Sequence, residues 1–252
     1  MRRLRDLRES ARDGQTCLLE GPRLILEAVA ARLRVVEAAR GPRAERTEAG
    51  REALAALLAQ GVRVRRVHED VLASFSEVET SQGLLAIAEQ PRFEDARLFA
   101  GNPLVVVAID VQNPGNLGGL LRTAEAAGAT GALLAGATAD AFSWKALRGS
   151  MGSAFRLPHW REKSVEAALD RLEAHGLKLA ATVARGGTSY DRSDLKGPLA
   201  LLLGNEGSGL PAAAEARASV RLSIPVSAPV ESLNVGVAAG ILLFEAARQR
   251  RA

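Results

Sequence analysis

The sequence predicts an α/β protein whose C-terminal part is built around a parallel sheet. Over residues 103–250, short runs of apolar, mostly β-branched residues alternate with helical segments. No apolar run approaches the ~18 residues that a membrane-spanning helix needs. The length of 252 residues and the 25% of charged residues are typical of a globular chain with one large or two modest domains.

The N-terminal part of the chain, over residues 18–91, predicts a small α/β unit. Gly21-Pro22 opens an amphipathic helix, because apolar residues recur there at helical spacing. The elements predicted after it are strands at 34–36, 62–67 and 83–88, a helix at 48–60 and a helical turn at 69–73. The polar, proline-bearing stretch 90–95 is typical of a linker. We therefore expect two domains, over residues 1–95 and 96–252.

The C-terminal part opens with Leu104–Ile109, a continuous apolar run typical of a strand that is buried on both faces. A loop follows, and then a helix predicted over residues 117–127. The remaining predicted elements are strands at 131–135, 177–182, 199–203 and 220–224, and helices at 145–151, 164–175 and 233–250. This alternation predicts a doubly wound parallel sheet, with ligands bound at the carboxyl ends of its strands.

The chain is basic, with 29 arginines and 4 lysines against 29 acidic residues, for a net charge of +4. Arginine suits phosphate binding, although an excess of Arg, Ala and Gly is equally typical of a GC-rich coding sequence. The densest basic cluster is formed by Arg2, Arg3, Arg5, Arg8 and Arg12. Such a run is typical of a solvated arm.

Cysteine and histidine are sparse, which limits the chemistry that the chain can support. One cysteine, Cys17, excludes an internal disulfide and a multi-cysteine zinc site. His68, His159 and His175 lack the spacing of metal ligands, so no metal is expected. The basic N-terminus has no apolar segment behind it, so we expect no secretion signal, no membrane association and a cytoplasmic protein.

The first of three unusual loops, at residues 113–123, follows the strand Leu104–Ile109 and is rich in Asn and Gly. It is similar to a phosphate-binding turn before a helix, but it lacks the glycine spacing of nucleotide-binding motifs. A tight turn with close helix packing explains the glycines equally well. Arg122 is an isolated charge among small and apolar residues, and its structural alternative is an ion pair with Glu125.

The other two loops, at residues 203–211 and 224–234, also follow predicted strands. Glu206 stands among three glycines, which is compatible with an exposed turn or with a carboxylate directed into a crevice. Ser232 is well placed as the N-cap of the last helix. Asn234 is harder to explain, because Asn is a mediocre helix former.

Taken together and in this order, the three loops closely resemble the motifs of the SpoU (TrmH-like) RNA ribose methyltransferases of the SPOUT superfamily. The segments that carry the resemblance are Asn-x-Gly-x-x-x-Arg at 116–122, Leu-Gly-Asn-Glu-Gly-x-Gly at 203–209, Glu-Ser-Leu-Asn-Val at 231–235 and Lys-Ala-Leu-Arg-Gly-Ser-Met-Gly at 145–152. Residues 19–22 and 81–86 are similar to the two ends of the ribosomal-protein-L30-like substrate-binding domain that many members carry.

The resemblance implies features that the residue pattern alone does not predict. It implies a deep trefoil knot in the C-terminal sheet, which general topology rules make rare. It implies S-adenosylmethionine as the cofactor and a homodimer. The implied catalytic residues are Arg122, Asn116, Glu206, Ser232 and Asn234, and the implied cofactor-binding residues are Thr182, Val183, Gly204, Asn205, Ile224 and Leu233.

Methylation of a ribose 2′-hydroxyl requires its oxygen in line with the methyl carbon and a destination for its proton. The three loops contain no His, Cys or Lys that would serve as an ordinary base. Arg122 normally stays protonated. Two roles are therefore open for it: proton acceptor with the help of an RNA phosphate, or a phosphate ligand that positions the ribose.

The substrate implied by the separate N-terminal domain is a structured ribosomal RNA, with tRNA as the alternative. A non-catalytic RNA-binding protein of the same fold is a second alternative, but it predicts lost site residues, and all five are present. A nicotinamide-dependent oxidoreductase predicts a glycine fingerprint that is missing. The last helix carries apolar residues on more than one side, which favours a dimer: Val235, Val237, Ile241, Leu242 and Phe244.

Overall fold

The computed structural model describes residues 15–75 and 82–251. The N-terminal arginine cluster and Ser81 of the 81–86 segment therefore lie outside the described residues. Within the described ranges, the N-terminal part contains a sheet of four strands in the order β1-β4-β2-β3. The strands are β1 (Thr16–Glu20), β2 (Val35–Arg40), β3 (Val64–Arg66) and β4 (Leu84–Glu89). The helices are α1 (Pro22–Ala30), α2 (Glu48–Ala59) and α3 (Glu69–Ala73), with a 3-10 turn at Pro42–Arg46.

Strand β1 was not predicted, because its five residues bury only Cys17 and Leu19 and the alternation is too short to stand out. It pairs antiparallel with β4, and β4 pairs antiparallel with β2. The chain thus brings its first and last N-terminal strands together.

The C-terminal part contains a parallel sheet which, over the residues described, has seven strands in the order β7-β6-β5-β10-β8-β11-β9. The strands are β5 (Leu104–Ile109), β6 (Gly131–Ala135), β7 (His159–Arg161), β8 (Lys178–Thr182), β9 (Thr188–Ser189), β10 (Leu199–Leu203) and β11 (Val220–Ser223). The helices are α4 (Asp95–Leu98), α5 (Pro114–Ala126), α6 (Trp144–Ser150), α7 (Ser153–Arg156), α8 (Val165–Ala174), α9 (Ala212–Arg217) and α10 (Val235–Arg251). The predicted parallel sheet is confirmed, and the trefoil knot stays a prediction.

Helix α5 packs closely on α6 because Gly118 has no side chain. A Cβ on Gly118 would lie 2.3 Å from the Ala146 carbonyl oxygen and 2.9 Å from the Ser150 nitrogen. Both obstacles are backbone atoms, so they cannot rotate away. Close helix packing therefore explains this glycine, and it is one of the two explanations that the sequence leaves open for the glycines of the first loop.

The two parts of the chain share one cluster of buried side chains, which includes Leu19 and Ile25 as well as Leu121 and Leu147. Arg156 reinforces the contact. Its guanidinium donates two hydrogen bonds to Glu125, of 2.7 and 3.0 Å, and one of 2.5 Å to Glu27 of α1. Burial raises the pKa of Glu125, but the hydrogen bonds from Arg156 and Ser153 and the Arg156 charge outweigh it, so the pKa is lowered.

The structural alternative for Arg122, an ion pair with Glu125, is therefore wrong, because the Glu125 carboxylate binds Arg156. Among the helices of the described residues, none is long and apolar enough to cross a bilayer.

Candidate functional site

A cavity of about 370 Å³ lies at the carboxyl ends of the adjacent strands β10, β8 and β11. Parallel strands present their carboxyl ends at one edge of the sheet, which is why loops distant in sequence meet there. All six residues that the sequence predicts to bind the cofactor line this cavity: Thr182, Val183, Gly204, Asn205, Ile224 and Leu233. The last helix closes one side with Val235, Ala238 and Leu242.

The loop after β10 is held in shape by Asn205. Its backbone N–H and C=O pair with Gly209, at 3.1 and 2.9 Å. Its side-chain Nδ2 donates to the Asp110 carbonyl oxygen at 3.0 Å, and its Oδ1 accepts a hydrogen bond of 2.9 Å from the Gly207 N–H. A Cβ on Gly204 would lie 2.3 Å from the Gly209 carbonyl carbon, so the turn requires glycine there. The Asn205 side chain thus shapes the loop that carries Glu206.

Three predicted catalytic residues form a hydrogen-bonded chain. Asn116 Nδ2 donates to Glu206 Oε1 at 2.6 Å, and Asn234 Nδ2 donates to Asn116 Oδ1 at 3.2 Å. They come from the first turn of α5, the loop after β10 and the start of α10. Because Glu206 also lines the cavity, the chain of polar groups begins at the cavity wall.

Helix α10 begins later than predicted. Asn234 Oδ1 accepts a hydrogen bond from the Gly236 N–H at 2.9 Å, and the Asn234 carbonyl accepts one from Ala238. Asn234 therefore occupies the capping position, so the structural alternative for Ser232, that it is the N-cap, is wrong. Ser232 instead lines the cavity, with an exposed side chain. The N-cap role explains why an asparagine, which is a mediocre helix former, stands at position 234.

Arg122 lies on α5, six residues beyond Asn116, and its side chain is exposed. It does not line the cavity, and it has no hydrogen bond or ion pair with the described part of the chain. The structure thus joins Asn116, Glu206 and Asn234 directly and places Ser232 at the cavity, whereas Arg122 projects from the same helix as Asn116 without touching the others.

Two residues at the cavity were missed by sequence reasoning. Arg185, three residues after β8, and Glu231, before α10, both line it, and their charged groups lie 3.6 Å apart. Both side chains are exposed. The available signal was the position of Arg185, in the loop that follows a strand with a buried centre.

Titratable groups with shifted pKa values lie elsewhere in the described residues. Burial, with a smaller effect of the Asp140 charge, raises the pKa of the Cys17 thiol to about 12, so this thiol stays protonated and is not a nucleophile. No group of three or more His, Cys, Asp or Glu side chains within residues 15–75 and 82–251 is arranged to hold a metal ion.

Comparison with known proteins identifies both parts of the chain. The SpoU rRNA Methylase family matches residues 103–244, and the MRM3-like substrate binding domain matches residues 1–86. The 23S rRNA (guanosine(2553)-2′-O)-methyltransferase RlmP of Bacillus subtilis is 37% identical over 187 residues, which are 74% of this chain and 73% of that protein.

Solved structures resemble either nearly the whole chain or a part of it. The SpoU methyltransferase AviRb from Streptomyces viridochromogenes, in complex with the cofactor AdoMet, has a TM-score of 0.84 and 31% identity, covering 97% of this chain and 94% of that one. The TrmH/SpoU tRNA modifying enzyme of A. aeolicus has a TM-score of 0.54 and 27% identity, covering 60% of this chain and 77% of that one. The resemblance carried by the three motifs is thereby confirmed. This chain belongs to the SpoU rRNA methylase family.

Proposed function

We propose that this chain transfers the methyl group of S-adenosylmethionine to the 2′-hydroxyl of a ribose in 23S rRNA. The observation that carries the proposal is the chain of hydrogen bonds from Glu206 through Asn116 to Asn234, beside a cavity built by three strand-end loops. Family membership gives the enzyme class, and the Bacillus subtilis relative is named for a methylated guanosine of 23S rRNA.

The cavity fits S-adenosylmethionine in size and in charge. Its volume of about 370 Å³ lies within the ~300–1,000 Å³ that is usual for small-molecule sites. Leu222, Ile224 and Leu242 give it apolar walls for an adenine ring. Its charged lining residues, among those described, are the carboxylates Glu206 and Glu231 and the guanidinium of Arg185. The cofactor carries a sulfonium, an ammonium and one carboxylate, which is the complementary set.

The predicted cofactor-binding residues Thr182, Val183, Gly204, Asn205, Ile224 and Leu233 would hold the cofactor with the backbone of their loops. When bound, S-adenosylmethionine supplies an electrophilic methyl group on its sulfonium. The residues of this chain must then bring the 2′-oxygen into line and hold it there, which is the largest available contribution to the rate.

The RNA would be positioned by the groups beside the cavity. Glu206 fixes the amide of Asn116, and Asn116 in turn receives a hydrogen bond from Asn234. Fixed amides of this kind orient a hydroxyl without reorganisation during the reaction. Ser232 adds an exposed hydroxyl at the cavity wall. Arg122, exposed and unpaired within the described residues, would bind an RNA phosphate through its planar fork of donors and so position the ribose. Its other open role is to accept the ribose proton with the help of that phosphate.

The N-terminal part supports ribosomal RNA rather than tRNA as the substrate. The A. aeolicus tRNA modifying enzyme covers only 60% of this chain, whereas the AdoMet-bound rRNA methyltransferase from Sinorhizobium meliloti covers 96%. We propose that residues 1–95 bind the RNA and that residues 96–252 carry out methyl transfer. The arginines at 2–12 would add phosphate contacts without sequence preference.

A homodimer is supported by helix α10. Val235 and Leu242 are buried, but Val237 and Phe244 on another side of the helix are 52% and 49% exposed. A second copy packed on this side would cover them. Sedimentation at micromolar concentration should show a species of twice 26.5 kDa, and Phe244→Asp should shift it towards the monomer. A wild-type protein that sediments only as the monomer would contradict the dimer. The cytoplasmic location and the lack of a metal remain predictions.

The proposed function is tested in two steps. Calorimetry measures the binding of S-adenosylmethionine, and transfer of a tritiated methyl group is then followed on 23S rRNA and on bulk tRNA. We expect labelling of 23S rRNA at one nucleotide, located by mapping the 2′-O-methyl group. If the protein binds S-adenosylmethionine but labels only tRNA, the proposal that 23S rRNA is the substrate is wrong. If it binds no S-adenosylmethionine, the proposed methyltransferase activity is wrong.

A further inference from the structure

A second cavity, of about 430 Å³, lies between the two parts of the chain. Residues of β1 and α1 form one wall, and residues of α6 form the other. We refer to it as the interdomain cleft, and the residues that line it include Arg23, Trp144, Arg148 and Met151. It is separate from the cavity at the strand ends, since the two share no lining residue.

The α6 wall presents flat groups that suit an unpaired base. The indole of Trp144 is partly exposed, and the Arg148 guanidinium lies 5.4 Å from the centre of its ring. Bases of single-stranded RNA stack on aromatic rings and on guanidinium planes, whereas bases in a duplex are already stacked on their neighbours. This wall therefore favours a splayed-out base over a base pair.

Met151 extends the same wall and is unusual in two respects. Its side chain is 42% exposed, and its backbone is left-handed, with φ of 49°. A large apolar residue rarely adopts this conformation, and such strained positions cluster at functional sites. The conformation ends α6 and leaves the Met151 side chain at the cleft.

The charges of the cleft favour a phosphate next to the base. Arg23 and Arg148 are both exposed, and neither has an ion pair with any described residue. Two carboxylates line the cleft among the described residues: Glu27, which is paired with Arg156, and Glu20, which lies at the end of β1. Two available guanidiniums around an aromatic ring match a nucleotide better than an apolar peptide segment.

We propose that the interdomain cleft binds an unpaired nucleotide of the substrate RNA, with its base on Trp144 and its phosphate at Arg23 and Arg148. The inference rests on the proposed function, because it takes RNA as the substrate. Helix α6 forms the wall of the cleft and also packs on α5 at Gly118, one turn before Arg122. The bound nucleotide would thus lie at a fixed position relative to the methylated ribose, and RNA with an exposed loop would be selected over duplex RNA.

Tryptophan fluorescence tests the cleft directly. The chain has two tryptophans, so Trp160→Phe leaves Trp144 as the single reporter. The probes are transcribed 23S rRNA, a ten-nucleotide oligoadenylate and a duplex RNA of the same length. We expect saturable quenching of the Trp144 emission by 23S rRNA and by the single strand, and much weaker quenching by the duplex. Equal quenching by the duplex, or no quenching, would overturn the proposal.

Substitutions give an independent readout. Trp144→Ala should weaken 23S rRNA binding by about 5- to 100-fold, as expected for the loss of one base stack, and Trp144→Phe should recover part of this loss. Arg148→Gln should lower the salt dependence of binding. S-Adenosylmethionine affinity should stay unchanged in all three variants, which also shows that they fold. Unchanged rRNA binding in Trp144→Ala would contradict the cleft.

The two proposals can fail separately. If the Trp160→Phe protein binds S-adenosylmethionine and methylates 23S rRNA while the Trp144 emission does not respond, the cleft proposal is wrong and the proposed function stands. If the wild-type protein does not methylate any RNA, the proposed function is wrong.

Discussion

Arg122 is exposed and available to a ligand because the carboxylate three residues further along its helix, Glu125, binds Arg156 instead. We expect Arg122→Ala to lower kcat by at least ~100-fold, since it removes the proposed ligand of the RNA phosphate and the proposed proton acceptor. Arg122→Lys should recover little, because a point charge lacks the planar fork. S-Adenosylmethionine affinity should be nearly unchanged, because Arg122 does not line the cavity. Single-turnover methylation and calorimetry measure the two quantities.

A matched control for Arg122 is Arg97→Ala, which removes an exposed guanidinium from the short helix α4. We expect this variant to methylate at the wild-type rate. A near-normal rate for Arg122→Ala would remove that residue from the site, whatever the control shows.

His159 makes stability depend on acidity. Its Nδ1–H donates to the Leu157 carbonyl oxygen at 3.0 Å, and its Nε2 is buried with no hydrogen-bond partner. Burial lowers the pKa of the imidazole from its ordinary 6.5, so folding favours the neutral ring. The stabilisation is therefore present above pH 6.5 and is lost as the pH falls through the lowered pKa.

The expected result is a decrease in the free energy of unfolding as the solution is acidified below about pH 6.5, measured by urea denaturation. His159→Phe, which keeps a ring beside Phe93 and Phe142, should show a smaller decrease. His175→Gln, at an exposed position, should behave as the wild type does. Identical pH profiles for the wild type and His159→Phe would exclude this role.

The contact between α5 and α6 depends on one of two adjacent glycines. Gly118→Ala should destabilise the fold by about 1–3 kcal/mol, because its Cβ would overlap backbone atoms of α6. Gly119→Ala meets no atom within 4 Å and should be neutral or stabilising by up to about 1 kcal/mol, because alanine is the better helix former. Thermal or urea unfolding of the two variants measures both effects, and equal destabilisation would contradict the packing argument.

Asn234 has two tasks at the start of α10, and substitutions separate them. Asn234→Ser keeps a good N-cap but removes the Nδ2 donor to Asn116. We expect stability within a few tenths of a kcal/mol of the wild type and a clear loss of kcat. Asn234→Ala should lose kcat and also about 1 kcal/mol of stability. Wild-type turnover in Asn234→Ser would show that the donor is dispensable.

The elements that sequence alone predicts well are the buried ones. Strands β5, β6 and β10 have the predicted bounds, because continuous apolar runs leave little choice of structure. Strands β7 and β9 were missed, since edge strands of three and two residues need no apolar pattern. The start of α10 was misplaced because Ser and Asn are both good caps, and only the structure shows which one accepts the N–H bond.

At the scale of the whole molecule, strand order was beyond the sequence pattern. Pairing of β10 with β5 and β8 brings the loops at 204 and 182 to one cavity, and periodicity does not encode which strands are neighbours. Only the order of the motifs indicated that the site residues meet. The interdomain cleft and the Arg156 ion pairs could not be predicted either. They bring together segments that are distant in the sequence and that carry no motif marking the contact.

The charged lining of the proposed cofactor cavity has a consequence for turnover. Among the residues that the structure describes, two carboxylates and one guanidinium line the cavity, which gives this lining a net negative charge. Methyl transfer turns the sulfonium of the ligand into a neutral thioether. The ligand then loses its positive charge, whereas the cavity lining stays negatively charged. The electrostatic attraction between the ligand and the cavity is therefore weaker after the reaction. We therefore expect the product, S-adenosylhomocysteine, to dissociate from the cavity more readily than S-adenosylmethionine does.

Calorimetry with S-adenosylmethionine and S-adenosylhomocysteine measures this effect. We expect the wild type to bind the methylated form about two- to tenfold more tightly, a modest ratio because exposed charges are well screened. Glu231→Gln should bring the ratio towards one, and so should high salt. If the ratio of the two affinities is the same in Glu231→Gln as in the wild type, the charge of the cavity lining does not contribute to release of the product.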